Sequence, residues 1–354
     1  MKLKLKNNNT LLSIFAAFII GGLVITFMGY NPIEAYSRLL TGAFKGKLNL
    51  GTTLQLFTPL FLTAIAFAIS AKVNVFNVGV EGELILGALA AAWVGYRFVG
   101  IPSVLHITLA LSFGMLVGAL WALIPGYLKA YIGVNEVTVT ILMNYVAIYL
   151  ASYLVSGPMS GKSSSPRTPE VMDSAKISRL LSPSRANAGI FIAIAAFIAI
   201  YYVLYRTTFG YRIRSVGLNA YFSDYIGISS KKFMVIGMML SGAFGGLAGG
   251  IESLGVYRYF LDSFSYGIAF DGMLISLISK NDLKKIPFMA FFIAVLKSGS
   301  LGLERQTNIP KSSIDMIISI FIFLAAMEGL FNIFKFKSKN KKADDNNPMQ
   351  EVEG

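Results

Sequence analysis

Long apolar blocks separated by short polar connections run through almost the whole chain. They begin near Leu11, Thr53, Gly82, Val104, Val137, Ala188, Phe233, Tyr266, Ile286 and Ser312. Most approach the roughly 20 residues that a helix needs to cross a bilayer. The pattern predicts an all-α polytopic membrane protein of about ten transmembrane helices, the eighth being the shortest. The run from Leu11 to about Tyr30 is too long for a signal-peptide core and lacks a small-residue cleavage site, so it reads as an uncleaved first span. The boundaries that follow are a cytoplasmic amino terminus at 1–10, a transmembrane domain at 11–337 and a polar, disordered cytoplasmic tail at 338–354.

Composition supports this reading. Of 354 residues, 55% are hydrophobic and 14% charged, where a soluble chain carries roughly a quarter charged. Mean hydropathy is +0.64. The net charge of +13 is explained by membrane topology, with lipids and not nucleic acid as the partner. Lys2, Lys4 and Lys6 at one end and Lys335 to Lys342 at the other place both termini in the cytoplasm, which requires an even number of crossings. Ten spans also put two basic connections inside: 206–232, with Arg206, Arg212, Arg214, Lys231 and Lys232, and the one carrying Lys280, Lys284 and Lys285. The 157–187 connection then lies outside despite Lys162, Arg167, Lys176, Arg179 and Arg185. It is the longest loop, and long loops follow the charge rule less strictly.

Polar residues inside the apolar runs carry the functional signal, because such groups are costly at membrane depth and face a pathway or a partner. The stretch Lys72–Gly87, KVNVFNVGVEGELILG, is the densest. As a helix it would set Asn74, Asn77 and Glu81 on one face, with Glu83 pointing elsewhere. Glu81-Gly82-Glu83-Leu84-Ile85 and Asp271-Gly272-Met273-Leu274-Ile275 share an acid-Gly-x-Leu-Ile pattern five spans apart. A shift of five spans reverses direction through the membrane, so the pair fits a 5+5 inverted repeat; chance accounts for five residues equally well. Asn135, Glu136 and Asn144 near the start of the fifth span complete the candidate translocation path. The plainer alternatives are helix capping for Asn135 and interfacial placement for Glu83 and Glu136.

Catalytic chemistry is thinly represented. There is no cysteine, His106 is the one histidine, and neither a P-loop nor a GxSxG turn is present. No metal site is expected. Gly242, Gly245, Gly246, Gly249 and Gly250 read as a close helix-packing face. Trp93, Trp121 and many tyrosines fit the interfacial aromatic belt. In the 206–232 connection, Tyr221, Tyr225 and Ile228 fall at i, i+4 and i+7, with Phe222 and Ile226 alongside. An amphipathic helix there suits docking into a groove on a soluble partner; a helix lying on the membrane is the alternative.

In order along the chain, NPIEAY (31–36), TPLFLTAIAFAIS (58–70), FNVGVEGE (76–83), VNEVTVTILMNY (134–145), GYRIRSVGLNAYFSDYIGIS (210–229), SGAFGGLAG (241–249) and FDGMLISLIS (270–279) follow one another. Together they resemble the permease subunits of ATP-binding-cassette importers for sugars, branched-chain amino acids and nucleosides. The likeness is strongest to the nucleoside branch that works with a BMP-type lipoprotein. Glu83 departs from the family's usual Gln, Ser279 from its usual Gly, and Ala220, Phe222, Ser223 and Ile226 from its usual cytoplasmic-loop residues. The resemblance implies a non-enzymatic, multi-pass subunit of the cell membrane. Its partners would be a second related permease in a heterodimer, an ATP-binding subunit and an external substrate-binding lipoprotein. ATP and Mg would be bound by the partner ATPase and no cofactor by this chain. Asn219, Tyr221, Phe222, Asp224, Tyr225, Gly227 and Ile228 would form the coupling helix that the ATPase receives. Nucleosides are the implied substrate, with simple sugars in the same family as the alternative. Buried acids and an inverted repeat also suit an ion-coupled secondary carrier, and a structural membrane scaffold is the third reading.

Overall fold

The structure is a computed structural model, and it describes residues 29–265 and 267–306 together with a few positions between 19 and 27 and position 319. The described residues fold as α-helices joined by short connections and one long one at 157–188, with only isolated bridges such as Arg167 with Leu261. We number the helices α1 (Pro32–Phe44), α2 (Gly46–Ala71), α3 (Val80–Arg97), α4 (Ser103–Tyr127), α5 (Glu136–Ser156), α6 (Gly189–Arg206), α7 (Thr208–Leu218), α8 (Ala220–Tyr225), α9 (Ser230–Ile251), α10 (Ile268–Ile278) and α11 (Ile286–Gln306). One π-helical turn extends α4 over Leu128–Ile132, and another extends α9 over Glu252–Tyr257.

Six helical stretches among the described residues are long and apolar enough to cross a membrane: 46–71, 103–132, 136–156, 189–206, 230–257 and 286–304. They match six of the predicted spans. The span predicted from Gly82 is α3, an 18-residue helix that carries Glu81, Glu83 and Arg97. The span predicted from Tyr266 is α10, whose 11 residues rise about 17 Å, half a bilayer. The predicted first and tenth spans lie outside the described residues.

The chain divides into two compact units, Leu39–Gly302 and a smaller one of Met1–Arg38 with Leu303–Gly354. In the smaller unit the Asn31 side chain accepts the Ile33 N–H at the start of α1, and Arg38 pairs with Glu34 one turn earlier. In the larger unit α9 packs against α4, α3 and α2, while α10 lies on α2 and α5 on α3. The α3–α4–α9 core is joined by glycine: a Cβ built on Gly246 would meet the Gly114 carbonyl at 2.2 Å, and one on Gly118 the Gly242 carbonyl at 2.2 Å. Backbones this close replace side-chain interdigitation with direct helix–helix contact, the packing that membrane helices favour. The predicted glycine face of the seventh span is therefore the seam of the core.

The 157–187 connection is folded against the same core. Thr168 N–H donates to the Phe260 carbonyl, Val171 N–H to that of Arg258, and Met172 N–H to that of Gly95. His106 is satisfied locally, between Ser174 Oγ and the Val94 carbonyl.

Candidate translocation and coupling sites

The Lys72–Gly87 stretch is not one helix. Helix α2 ends at Ala71, residues 72–79 are turns and extended chain, and α3 starts at Val80. Asn74 is exposed in the left-handed region (φ 57°), and the Asn77 side-chain oxygen accepts the Gly79 N–H at 3.0 Å. Asparagine tolerates that backbone region, and its side chain offers nearby N–H groups an alternative to the helical ladder. The expected single face of Asn74, Asn77 and Glu81 is thereby corrected. Asn74 points away from the pair that remains buried.

The buried pair organises the entry of α3. Asn77 Nδ2 donates to Glu83 Oε1 (2.8 Å) and to Ser241 Oγ of α9 (2.9 Å). From α5, Asn144 Oδ1 accepts the Gly82 N–H at 2.8 Å, and its Nδ2 donates to the Val78 carbonyl at 2.9 Å. Two orphan backbone groups of a helix start are thus satisfied by one side chain. Asn144 lies eight residues into α5, so α3 begins about 12 Å along that span and not at its edge.

Glu81 and Glu83 face different neighbours, as their two-residue spacing requires. Glu81 reaches α10: its carboxylate accepts the Ser265 hydroxyl and, at 2.9 Å, the Ala269 N–H, so it caps the start of that helix. Asp271 sits in the first turn of α10 and pairs with Lys297 of α11. The acids that open the two acid-Gly-x-Leu-Ile motifs therefore lie in the first turns of α3 and α10, and Glu81 joins those turns. Glu83 lies on the α9 side, 1% exposed, with Oε2 beside Gly245 and without a hydrogen-bond partner. At the start of α5, Asn135 caps the helix through the Val137 and Thr138 N–H groups, and Glu136 pairs with Lys129 at 2.7 Å.

The 206–232 connection forms two helices, α7 and α8, where the spacing suggested one. Asn219 divides them, its side chain accepting the Phe222 N–H at 3.0 Å as the cap of α8. Helix α8 stops at Tyr225 and Gly227 is left-handed (φ 81°), which leaves Ile228 outside the helix. Tyr221 (89% exposed), Phe222 and Tyr225 (90% exposed) project outward beside Leu218. Asp224 turns the other way: its carboxylate accepts the Ser230 N–H at 2.7 Å and the Ser230 hydroxyl at 2.6 Å. The hydroxyl first, and then the amide, hold this carboxyl below its ordinary range.

Sequence reasoning passed over Ser241, Ser265 and Lys297, the partners of the buried acids and of Asn77. Ser265 and Lys297 stand outside any motif, and Ser241 opens the SGAFGGLAG run, where the glycines drew the attention.

Comparison with known proteins adds to this geometry. The model of the family described as branched-chain amino acid transport system / permease component matches residues 49–327. The guanosine ABC transporter permease protein NupP of Bacillus subtilis is 33% identical, over 94% of this chain and 97% of its own length. The nucleoside ABC transporter permease protein NupB of Lactococcus lactis is 32% identical, over 95% and 94%. The glucose ABC transporter permease protein TsgB13 of Haloferax volcanii is 30% identical, over 92% and 88%. No solved structure matches the chain.

Proposed function

The chain belongs to the family of branched-chain amino acid transport system permease components and is a multi-pass membrane permease subunit; from that premise we propose that it forms the translocation path of an ATP-driven importer of nucleosides. The observation that carries the proposal is α8. A helix with a capped, satisfied backbone that exposes Tyr221, Phe222 and Tyr225 is built to enter a groove on a soluble partner. That partner is the ATPase, which supplies the ATP and Mg sites while this chain hydrolyses nothing. A second, related permease and an external substrate-binding lipoprotein complete the complex in the cell membrane. Nucleosides are favoured over simple sugars by the two nucleoside-permease relatives of higher identity.

The proposed architecture is ten spans in a 5+5 inverted repeat with both termini cytoplasmic. The placement of the opening acid of each acid-Gly-x-Leu-Ile motif in a helix first turn supports the repeat. In this reading Asn77, Glu81, Glu83, Asn144 and Asp271 hold two helix starts within the membrane. Asn74, Asn135 and Glu136 flank the cytoplasmic mouth. ATP binding and hydrolysis bias the permease pair between outward-open and inward-open states.

Reconstitution tests the proposal. The assembled complex in proteoliposomes should take up nucleosides only with ATP on the ATPase side of the membrane, and the lipoprotein should bind nucleosides in preference to pentoses and hexoses. Uptake by this chain alone, driven by an ion gradient, would overturn it in favour of a secondary carrier.

A further inference from the structure

Lys297 is a lysine in the middle of a membrane-crossing helix. It lies about 17 Å along α11, whose apolar span runs 19 residues from Ile286 to Glu304. Its ammonium pairs with Asp271 in the first turn of α10. Ionisable groups at such depth face a bundle interior or a water-filled cavity, because hydrocarbon does not solvate them. The other polar groups held at the start of α3 are sealed: Asn77, Glu81, Glu83 and Asn144 are all buried. The Asp271–Lys297 pair is open, with 33% of the lysine side chain and 20% of the aspartate side chain exposed.

The helix faces show where the pair opens. Ile286, Ala290, Ile293 and Ala294 precede Lys297 by eleven, seven, four and three residues and share its side of α11; all four are buried. Beyond Lys297 the same side reaches the exposed Glu304 only at the end of the span. The exposed apolar residues of α11, Phe288 and Phe291, lie round the other side. Asp271 is placed likewise on α10: Ile275 and Ile278, one and two turns on, are buried, while exposed Phe270 and Leu277 lie off that stripe. A surface turned to lipid or to a partner helix would expose these apolar neighbours as well. Exposure of the charged pair among sealed neighbours marks instead a gap between α10 and α11, inside the subunit. In that gap the ammonium donates to Asp271 and has no second partner among the described residues. Two of its three N–H donors are left for water or a solute.

We propose that the Asp271–Lys297 pair is where the translocation path touches its solute, the carboxylate accepting from two vicinal hydroxyls of a sugar ring while the ammonium donates to their oxygens. A carboxylate has two oxygens and about four acceptor sites, so it can hold both hydroxyls and still keep Lys297. The pair carries no net charge, which suits an uncharged solute, and contacts shared between path and solute are released as readily as they are made. This deepens the importer reading and rests on it. Nucleosides and simple sugars both carry the diol, so it does not rest on the choice between them.

This chain has no cysteine, so Lys297→Cys places a single thiol in the complete transporter once the other subunits are made cysteine-free. Aminoethyl methanethiosulfonate would return an ammonium to that thiol, and the sulfonatoethyl reagent an anion. K297C should reduce uptake about tenfold or more, and aminoethylation, but not sulfonatoethylation, should restore most of it. Labelling is then timed in nucleotide-free and ATP-bound complexes, with solute supplied in excess on the ATPase side so that the binding protein takes no part. Guanosine should slow labelling about fivefold or more in at least one state, and 2′,3′-dideoxyguanosine much less. Where K297C does not assemble, the double variant Lys297→Cys/Asp271→Asn, which leaves no buried charge unpaired, carries the same labelling measurement. A thiol that neither reagent reaches in either state overturns the proposal, as does labelling that no solute slows or that both guanosines slow equally. Protection by glucose and not by guanosine would uphold the diol contact and reject the nucleoside reading.

Discussion

Asn144 and Glu83 show how much rests on single side chains at the start of α3. Asn144 satisfies the Gly82 N–H and the Val78 carbonyl where neither has a helical partner. Asn144→Ala leaves both groups buried and unpaired, at a cost of about 2–3 kcal/mol for the pair. The expected outcome is a clear fall in the midpoint of thermal unfolding in detergent, read beside Asn135→Ala, whose exposed cap leaves groups that water can satisfy. Glu83 is the opposite case. Its Oε1 accepts from Asn77 while Oε2 sits unpartnered beside Gly245. Glu83→Gln keeps the accepting oxygen and cannot ionise, so it should preserve folding and transport. Glu83→Ala deprives Asn77 of an acceptor and should destabilise by about 1–3 kcal/mol. Thermal midpoints that rank glutamine below alanine would contradict this account of the site.

At the scale of the element, Asp224 ties α8 to α9. Its carboxylate accepts both Ser230 donors, and its folded-state value lies below the ordinary aspartate value of 3.8. A depressed carboxyl stabilises above its unfolded value and loses that contribution as pH falls through the folded one. Hydrogen exchange at Ser230–Lys232, corrected for its intrinsic pH dependence, should therefore stay constant down to about pH 4 and accelerate below it. Asp224→Ala should show the faster exchange at neutral pH. Tyr225→Asp, on the exposed face, should leave α9 protected and the protein inserted, yet abolish substrate-stimulated ATP turnover in the complex. These two elements also mark what the sequence could reveal. Apolar length located α2, α4, α5, α6, α9 and α11, because crossing a bilayer demands it. Aromatic spacing located the exposed surface of α8. The break at 72–79 was hidden: its asparagines are compatible with a polar helical face, and only their side-chain bonds to Gly79, Glu83 and Ser241 reveal the turn.

Across the larger unit of the molecule, α7 and the buried acids are joined through the turn at 72–79. A Cβ on Gly217 of α7 would meet the Lys72 carbonyl at 2.0 Å, and one on Gly237 of α9 the Val73 side chain at 2.5 Å. The turn at 72–79 is therefore gripped from α7 on one side and α9 on the other. From that turn Asn77 reaches Glu83 and Ser241, and Glu81 in the same helix start caps α10. Displacement of α7 and α8 by a soluble motor would move the turn and, with it, the starts of two helices within the membrane. Close-packed interfaces shift as units instead of deforming. Contiguity alone does not demonstrate coupling, so the consequence must be measured. Gly217→Ala puts a methyl group where a backbone oxygen stands and forces α7 away from the turn, while touching none of Tyr221, Phe222 and Tyr225. The complex should assemble with the ATPase and hydrolyse ATP at an undiminished basal rate, but transport fewer nucleosides per ATP, by about threefold or more. Gly227→Ala, at the left-handed end of α8 with open space around it, should instead disturb docking and lower ATP turnover and uptake together. Equal loss of both activities in Gly217→Ala would show that this contact only holds the fold and transmits nothing.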